Sequence, residues 1–299
     1  MHQPVHQSTV KIAVIGDIHD LWELEDNAAL KHLDVDLALF VGDYGNEAVD
    51  VVRRIAAVDI PKAAVMGNHD AYYSASNKGI KKCPYDRTRE DWVQLQMDLL
   101  GDDHVGFSKR EFPQFNLTVV GARPFSWGGS KWRYRKFYRD RFNVRGFDES
   151  LELIMAAADE AEHSSIIFVG HVGPYGLGDQ PHDPCGKDWG KNGGGGDYGD
   201  PDFEKAIALT QESGKHVPLV TFGHMHHTLK NSTQQLRTRV TKTDETVYFN
   251  AANVPRIEKT PLGSRRSFSL VTLTNGIVES IVLVWLDAHF KQISQELLL

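Results

Sequence analysis

The chain has 299 residues, a mass of 33.5 kDa and a formal charge of −7 at neutral pH. With 41% hydrophobic and 24% charged residues, it has the composition of a globular protein, and it is long enough to bury a substantial core. The net negative charge argues against a dedicated nucleic-acid binder, whose contact surface is normally basic. The longest apolar runs have six residues, as at 281–286, and are far shorter than a membrane-spanning helix.

The first ten residues contain neither the basic region nor the apolar region of a signal peptide, so we expect none. Cys83 and Cys185 are the two cysteines, too few for a disulfide framework, and a cytoplasmic location suits this composition. We expect residues 1–9 to be disordered or extended and residues 10–290 to form one domain.

The first seventy residues alternate between short apolar runs and helical segments. The apolar runs cover 10–17, 36–43 and 61–68, and each of them ends on glycine followed by Asp or Asn. The segments between them, 23–33 and 46–58, have helical patterns. Apolar runs of this length separated by helices indicate βαβ units with a buried, largely parallel sheet.

The rest of the chain predicts further helices and strands. The helices are expected at 87–100, 148–163 and 201–213, and the strands at 115–123, 164–171 and 217–224. The C-terminal part predicts three antiparallel strands, at 246–252, 266–274 and 276–285. We therefore expect an α+β or α/β fold in which helices cover the outer faces of two packed sheets.

A basic, aromatic segment at about 126–147 is a candidate insert or lid. Within it, residues 131–145 contain seven Lys or Arg and one Asp, which gives a net charge of +6. A solvated charged face is the default interpretation of such a run. The alternative is a rim that attracts an anionic substrate, with Arg133, Arg135, Arg139 and Arg141 on one face if the segment is a strand, and scattered if it is a helix.

Five segments place glycine and metal-binding side chains at the end of an apolar strand. They are GDIHD (16–20), GDYGN (42–46), GNHD (67–70), GH (170–171) and GHMHH (223–227). Ligands of open α/β sheets bind beyond the carboxyl ends of the strands, so we expect these side chains to meet there. Mixed carboxylate, amide and imidazole ligands without thiolates favour Mn, Fe or Zn.

Seven of these side chains are suited to hold two divalent cations. One ion would use Asp17, His19 and His226, the other Asn68, His171 and His224, and Asp43 would bridge them. Two divalent cations and two carboxylates leave a net positive charge, which suits a bound phosphate group. The glycine-rich segment 172–200 directly follows His171, so it is either a flexible surface excursion or a wall of the substrate pocket.

The ordered series D-x-H, G-D, G-N-H-D, G-H and G-H-x-H resembles the signature of the calcineurin-like metallophosphoesterase superfamily, over roughly residues 10–285. The whole chain is most similar to a DevT-like group of phosphatases. The resemblance implies a four-layer αββα sandwich of two mixed β-sheets, the seven metal ligands above, and His69 as proton donor. We group Asp70 with His69 as catalytic, the alternative being that His69 is a structural residue held by Asp70.

The second motif departs from one branch of this superfamily. Protein Ser/Thr phosphatases usually continue it as G-D-x-V-D-R-G, with an arginine that contacts the phosphate, whereas residues 42–47 here read GDYGNE. The final G-H-x-H is commoner among bacterial phosphodiesterases and small-molecule phosphatases. The resemblance therefore favours those branches and leaves the metal chemistry unchanged.

The expected function is hydrolysis of a phosphomonoester by a phosphatase with two metal ions, expected to be Mn with Fe or Zn as alternatives. A hydroxide that bridges the metals would be the nucleophile. The substrate would be a phosphorylated small molecule or a phosphoprotein, and neither nucleic acid nor a membrane is expected as a partner. Two alternatives remain: a phosphodiesterase acting on cyclic or linear nucleotides, and a catalytically silent metal-binding regulator. The candidate substrate contacts are Arg123, Arg133, Lys187 and Arg256.

Overall fold

The structure is a computed structural model that describes residues 9–190, 194–230, 232–243, 245–261 and 263–299. The N-terminal segment expected to be disordered or extended therefore lies outside the described residues, except for Thr9, which begins the first strand. Among the described residues, no helix has the length and apolar character needed to cross a membrane.

The strands, in chain order, are β1 (Thr9–Ile15), β2 (Leu37–Phe40), β3 (Lys62–Ala64), β4 (Lys109–Phe112), β5 (Leu117–Gly121), β6 (Ser165–Val169), β7 (His216–Phe222), β8 (Val240–Thr243), β9 (Thr246–Asn250), β10 (Ile257–Thr260), β11 (Gly263–Thr274), β12 (Ile277–Leu286) and β13 (Gln292–Leu297). The α-helices are α1 (Leu24–His32), α2 (Val49–Ala56), α3 (Tyr72–Ala75), α4 (Asn77–Ile80), α5 (Trp92–Leu100), α6 (Arg135–Phe142), α7 (Phe147–Asp159) and α8 (Pro201–Glu212).

The strands form two mixed sheets. The first has the order β13-β12-β11-β1-β2-β3, with β10 paired to β11, and the second has the order β4-β5-β6-β7-β9-β8. In the first sheet β1, β2 and β3 are parallel, as the βαβ pattern predicts. In the second sheet β5, β6, β7 and β9 are parallel. The parallel strands of each sheet thus end at one edge.

The two sheets pack face to face around an apolar core. Along β1, Ile12 and Val14 point into the core between the sheets, whereas Ala13 and Ile15 point into the layer shared with the helices. This alternation follows from the two-residue period of a strand buried on both faces. The first sheet is covered by α1, α2 and α5, and the second by α7 and α8. The four-layer αββα sandwich is therefore confirmed.

Several elements differ from the sequence-based expectation. The strand expected at 246–252 does not pair with the following strands, because β9 lies in the second sheet, parallel to β7. Four short strands were missed, namely β4, β8, β10 and β13, and each lies at a sheet edge or at the end of a hairpin. Most of their residues are exposed or only partly buried, and they carry no apolar alternation. Because β13 pairs with β12, the first sheet extends beyond residue 290.

Candidate metal centre

The candidate metal ligands lie at the carboxyl ends of five parallel strands, drawn from both sheets. Asp17 and His19 follow β1, and Asp43 and Asn68 follow β2 and β3. His171 follows β6, and the two histidines of the last motif follow β7. Since the parallel strands end side by side, residues more than 200 positions apart in sequence meet at this edge.

Asp17, His19 and His226 form the first cluster. Their ligand atoms lie within 4.8 Å of one another. The two imidazole Nε2 atoms are 3.0 Å apart, and His226 Nε2 is 3.3 Å from Asp17 Oδ1. This Oδ1 is buried and has no hydrogen-bond partner among the residues that the structure describes. A cation bound between His19 Nε2, His226 Nε2 and Asp17 Oδ1 would give each of these atoms a partner.

Asp43, His171 and His224 form the second cluster. His171 Nε2 lies 3.3 Å from Asp43 Oδ1 and 3.2 Å from His224 Nδ1. It is also 3.1 Å from the amide oxygen of Asn68, so four potential ligand groups converge. Asp43 belongs to a further group with His19 and His69, which makes its carboxylate the link between the two clusters.

The backbone is adapted to bring these side chains together. Asp17, His19, Asp43 and His224 have φ values of 50°, 46°, 57° and 68°. Such left-handed conformations are costly for residues other than glycine, and they concentrate at functional sites. At Gly42, with φ of 92°, an added Cβ would lie 2.5 Å from the nitrogen of Gly67. A side chain at position 42 would therefore push the second motif away from the third.

Hydrogen bonds fix the orientation of individual ligands. The Nδ1–H of His171 donates to the carbonyl oxygen of Val41 over 2.8 Å, which directs Nε2 toward the cluster. The carboxylates are held by backbone donors: His224 N–H bonds Asp17 Oδ2 at 2.9 Å, and His69 N–H bonds Asp43 Oδ1 at 2.8 Å. The ligands are thus preorganised by the protein itself.

The electrostatics of the site favour a bound cation. Burial opposes ionisation of Asp17 and Asp43, but neighbouring histidines lower the pKa of both carboxyls below the ordinary value. Burial, reinforced by His171, lowers the pKa of His224 to about 3, so this imidazole is neutral. Burial also opposes protonation of His171, yet Asp43 raises its pKa to about 9. The carboxylates therefore attract positive charge, which divalent cations would supply in place of the proton.

His69 and Asp70 occupy different positions. The His69 side chain lines the cavity above the clusters, and its Nδ1 lies 2.7 Å from Asn46 Oδ1. Asp70 is fully buried, where its carboxylate accepts backbone N–H groups of Asp43, Tyr44 and Gly67 over 2.7–3.0 Å. Asp70 therefore lies beneath the site, where it holds the backbone of the second and third motifs, and its grouping with His69 as catalytic stays a prediction. We also did not predict the contact between Asn46 and His69, although Asn46 is the last residue of the GDYGN segment.

A cavity of about 590 Å³ opens above the two clusters. Its walls combine aromatic and cationic side chains: Trp127, Trp189, Tyr198, Arg133, Lys230 and Arg237. Arg237 is buried and binds the carbonyl oxygens of residues 181, 183 and 186, so it fastens the loop that follows β6. Residues 188, 189 and 198 of this loop form part of the wall, and the sequence signal for them is their position after His171.

The four candidate substrate contacts have different environments. Arg133 lines the cavity, where it donates to the Tyr198 hydroxyl over 2.8 Å. Lys187 lies on the loop, with its backbone N–H bonded to Gly196. Arg256 is buried, donates to Asp26 and to a carbonyl oxygen, and is thereby committed to holding the start of α1. Arg123 is likewise buried, between two carboxylates.

The pairing of Arg123 leads to a prediction about stability. Its guanidinium donates to Asp200 at 2.6 Å and to Asp202 at 2.9 Å, and all three side chains are buried. Arg123→Met should lower the free energy of unfolding by about 3–5 kcal/mol, because it leaves two buried carboxylates unpaired. Urea denaturation measures this change, and KM for a phosphate ester should be unaffected. Normal stability with a raised KM would instead make Arg123 a substrate contact.

Comparisons with known proteins agree with this geometry. The family model of calcineurin-like phosphoesterases matches residues 10–228, well over half of the chain. No curated protein matches the sequence. The purple acid phosphatase PPD1 from yellow lupin (Lupinus luteus) seeds shares the fold with a TM-score of 0.50 and 12% identity, over 96% of this chain and 53% of that one.

A Staphylococcus aureus protein, provisionally described as a 5′-nucleotidase and solved with α-ketoglutarate, has a TM-score of 0.51 at 11% identity. The match covers 97% of this chain and 54% of that one, so the chain spans about half the length of both proteins. Identities this low show the shared fold alone. The family match and the clustered ligands together establish that the chain belongs to the calcineurin-like phosphoesterase family and is a metal-dependent phosphoesterase.

Proposed function

We propose that the protein is a phosphatase that hydrolyses phosphomonoesters at a centre of two divalent metal ions. The observation that carries this proposal is the sharing of Asp43 between ligand groups, at the base of a cavity that His69 also lines. Asp17, His19 and His226 would hold one ion, and Asn68, His171 and His224 the other. When bound, the two ions supply Lewis acidity, which activates a water molecule and neutralises the phosphate charge.

The chain's own residues have separate tasks in this reaction. Asp70 fixes the backbone of the second and third motifs through three accepted hydrogen bonds. Asn46 orients the imidazole of His69, whose role would be to protonate the leaving oxygen. The ring of Trp127 lies within 20° of parallel to that of His69, with a centroid distance of 6.5 Å, and lines the same cavity.

The charge of the cavity favours a monoester over a diester. A phosphomonoester carries about two negative charges near neutral pH, whereas a diester carries one. The cationic groups of Arg133, Lys230 and Arg237 line the cavity together with two carboxylates, Asp43 and Asp188, and Asp188 lies 3.5 Å from Arg237. This excess of positive charge would bind the dianion more strongly. Relative rates on p-nitrophenyl phosphate and bis(p-nitrophenyl) phosphate separate the monoesterase from the diesterase.

We propose Mn as the native metal, since four of the seven ligands are imidazoles, which Mg and Ca use poorly. The metal-free protein should be inactive on p-nitrophenyl phosphate and should recover more activity with Mn(II) than with Mg(II) or Ca(II). Activity assays and metal analysis of the same sample measure this. Full activity in excess EDTA would overturn the proposal, and two bound metals without any ester hydrolysis would identify a silent metal-binding regulator.

The cavity is compatible with a phosphorylated small molecule or with a phosphorylated side chain of a protein. A cytoplasmic location is part of the proposal, because neither Cys83 nor Cys185 forms a disulfide. We likewise propose that residues 10–290 form one domain with an insert or lid near 126–147.

A further inference from the structure

A second, larger depression lies next to the metal-site cavity. It has a volume of about 920 Å³ and runs between α6 and the segment that contains α3 and α4, with α5 at one side. We call it the basic groove. The charged side chains of its lining are Lys78, Arg133, Arg135, Lys136 and Arg141, together with Asp91 and Asp140. Five cations and two carboxylates give the groove a net charge of +3 on a chain whose total charge is −7.

The carboxylates of the groove neutralise only some of its cations. Arg141 pairs with Asp91 at 2.6 Å, which docks α6 on α5, and Lys136 pairs with Asp140 at 2.6 Å. Lys78, Arg133 and Arg135 have no carboxylate within 4.0 Å among the residues described by the structure. All three are exposed and line the groove, and Arg133 also donates to the Tyr198 hydroxyl on the side of the metal-site cavity. They form an anion site without an internal counter-ion.

The groove adjoins the metal-site cavity. Arg133 lines both of them. Tyr134, also in the groove, has its ring 5.4 Å from that of Trp127, which in turn lies parallel to His69 in the cavity. Tyr134 adopts a left-handed conformation with φ of 52°, a strained backbone that turns the chain into α6 at this junction. A single elongated ligand can therefore pass from the metal centre into the groove.

We infer that the basic groove binds a second phosphate group of the substrate, so that the preferred substrates carry two phosphates. This inference rests on the proposed phosphatase function of the metal centre. The planar guanidinium of Arg135 presents paired donors that match phosphate oxygens, and Lys78 adds a point charge. One phosphate reacts at the metal centre, while the second is held by these two side chains and remains esterified. At the reacting phosphate, water replaces the alcohol in the same way as for a substrate with one phosphate.

A series of alkane-α,ω-diol bisphosphates, with two to ten carbons between the phosphates, tests the inference. Each is compared with the monophosphate of the same diol, which ends in a hydroxyl group. Because either phosphate of a bisphosphate can enter the metal centre, kcat/KM rises about twofold even without any contact in the groove. Charge-assisted hydrogen bonds in the groove should raise it at least tenfold at the chain length that matches the spacing of the two sites. This advantage should shrink as salt screens the exposed cations.

Groove variants identify the residues responsible. Arg135→Gln and Lys78→Gln should each remove most of the advantage of the bisphosphate and leave kcat/KM of the monophosphate unchanged. Arg139→Gln is the matched control, because Arg139 lies on the same helix but pairs with Asp140. An advantage of no more than twofold at every chain length would overturn the inference. So would an advantage that both groove variants retain.

Binding of alkane-α,ω-bisphosphonates, which cannot be hydrolysed, keeps this test independent of catalysis. Calorimetry on the metal-loaded protein should give a Kd at least tenfold lower for the matching bisphosphonate than for the monophosphonate, with the difference lost in Arg135→Gln. If no alkyl phosphate is hydrolysed but this difference is present, the proposed phosphatase function fails and the groove stands. If monophosphates are hydrolysed but the bisphosphonate and the monophosphonate bind with equal affinity, the phosphatase function stands and the inference about the groove fails.

Discussion

Asp43→Asn is expected to reduce hydrolysis of phosphate esters by at least about 10³-fold, which corresponds to about 4 kcal/mol of transition-state stabilisation. The carboxylate of Asp43 belongs to ligand groups on both sides of the centre, and histidines keep its pKa low so that it is ionised at neutral pH. Asparagine preserves the size of the side chain and one acceptor oxygen, which can keep the hydrogen bond from His69 N–H, but it removes the negative charge that the two ligand groups share. Metal analysis should therefore show fewer than two ions per chain.

Asp20→Asn provides the control for the loss of one negative charge near the site. Asp20 is exposed and is the last residue of the GDIHD segment, and asparagine also tolerates its φ of 68°. Its activity and metal content should match those of the unsubstituted protein. If Asp43→Asn kept two ions and full activity, Asp43 would not link the two metals.

His69→Asn should lower kcat on alkyl phosphates by about 10²–10⁴-fold while both metal ions remain bound. An alkoxide is a poor leaving group and needs a proton from His69, which lines the cavity beside Asp43. The loss should be much smaller on p-nitrophenyl phosphate, because p-nitrophenolate departs without protonation. Steady-state kinetics on both substrates, with metal analysis of the variant, measures the difference.

Variants of Asn46 test the same assignment from a neighbouring position. Asn46→Ala removes the acceptor 2.7 Å from His69 Nδ1 and should reproduce part of the loss on alkyl phosphates, about 10-fold or more. Asn46→Asp keeps an acceptor oxygen and should restore most of the rate. If His69→Asn lost one metal ion and slowed both substrates equally, His69 would be a ligand rather than a proton donor.

The basic segment illustrates where sequence patterns stop being informative. Alternation of arginines with aromatics allows a strand with a cationic face, but residues 135–142 form a helix. Its arginines accordingly point to different partners: Arg135 to the groove, Arg139 to Asp140, and Arg141 to Asp91 on another helix. Seven basic residues in fifteen indicate an anion-binding region, whereas the number of cations that remain unpaired depends on which carboxylates the fold brings beside them.

The sequence by itself determined the four-layer architecture and the clustering of the metal ligands. Apolar runs that end on Gly-Asp, Gly-Asn or Gly-His are local signals, and parallel strands bring their carboxyl ends together in any sheet of this kind. The tertiary structure decided the hydrogen-bond partners of the arginines and of Asp70. Arg123 donates a hydrogen bond to Asp200, 77 positions away in sequence, and Arg256 donates one to Asp26, 230 positions away. The carboxylate of Asp70 accepts a hydrogen bond from the backbone beneath the site. Such pairings depend on the packing of distant elements, which the order of residues along one strand or helix does not encode.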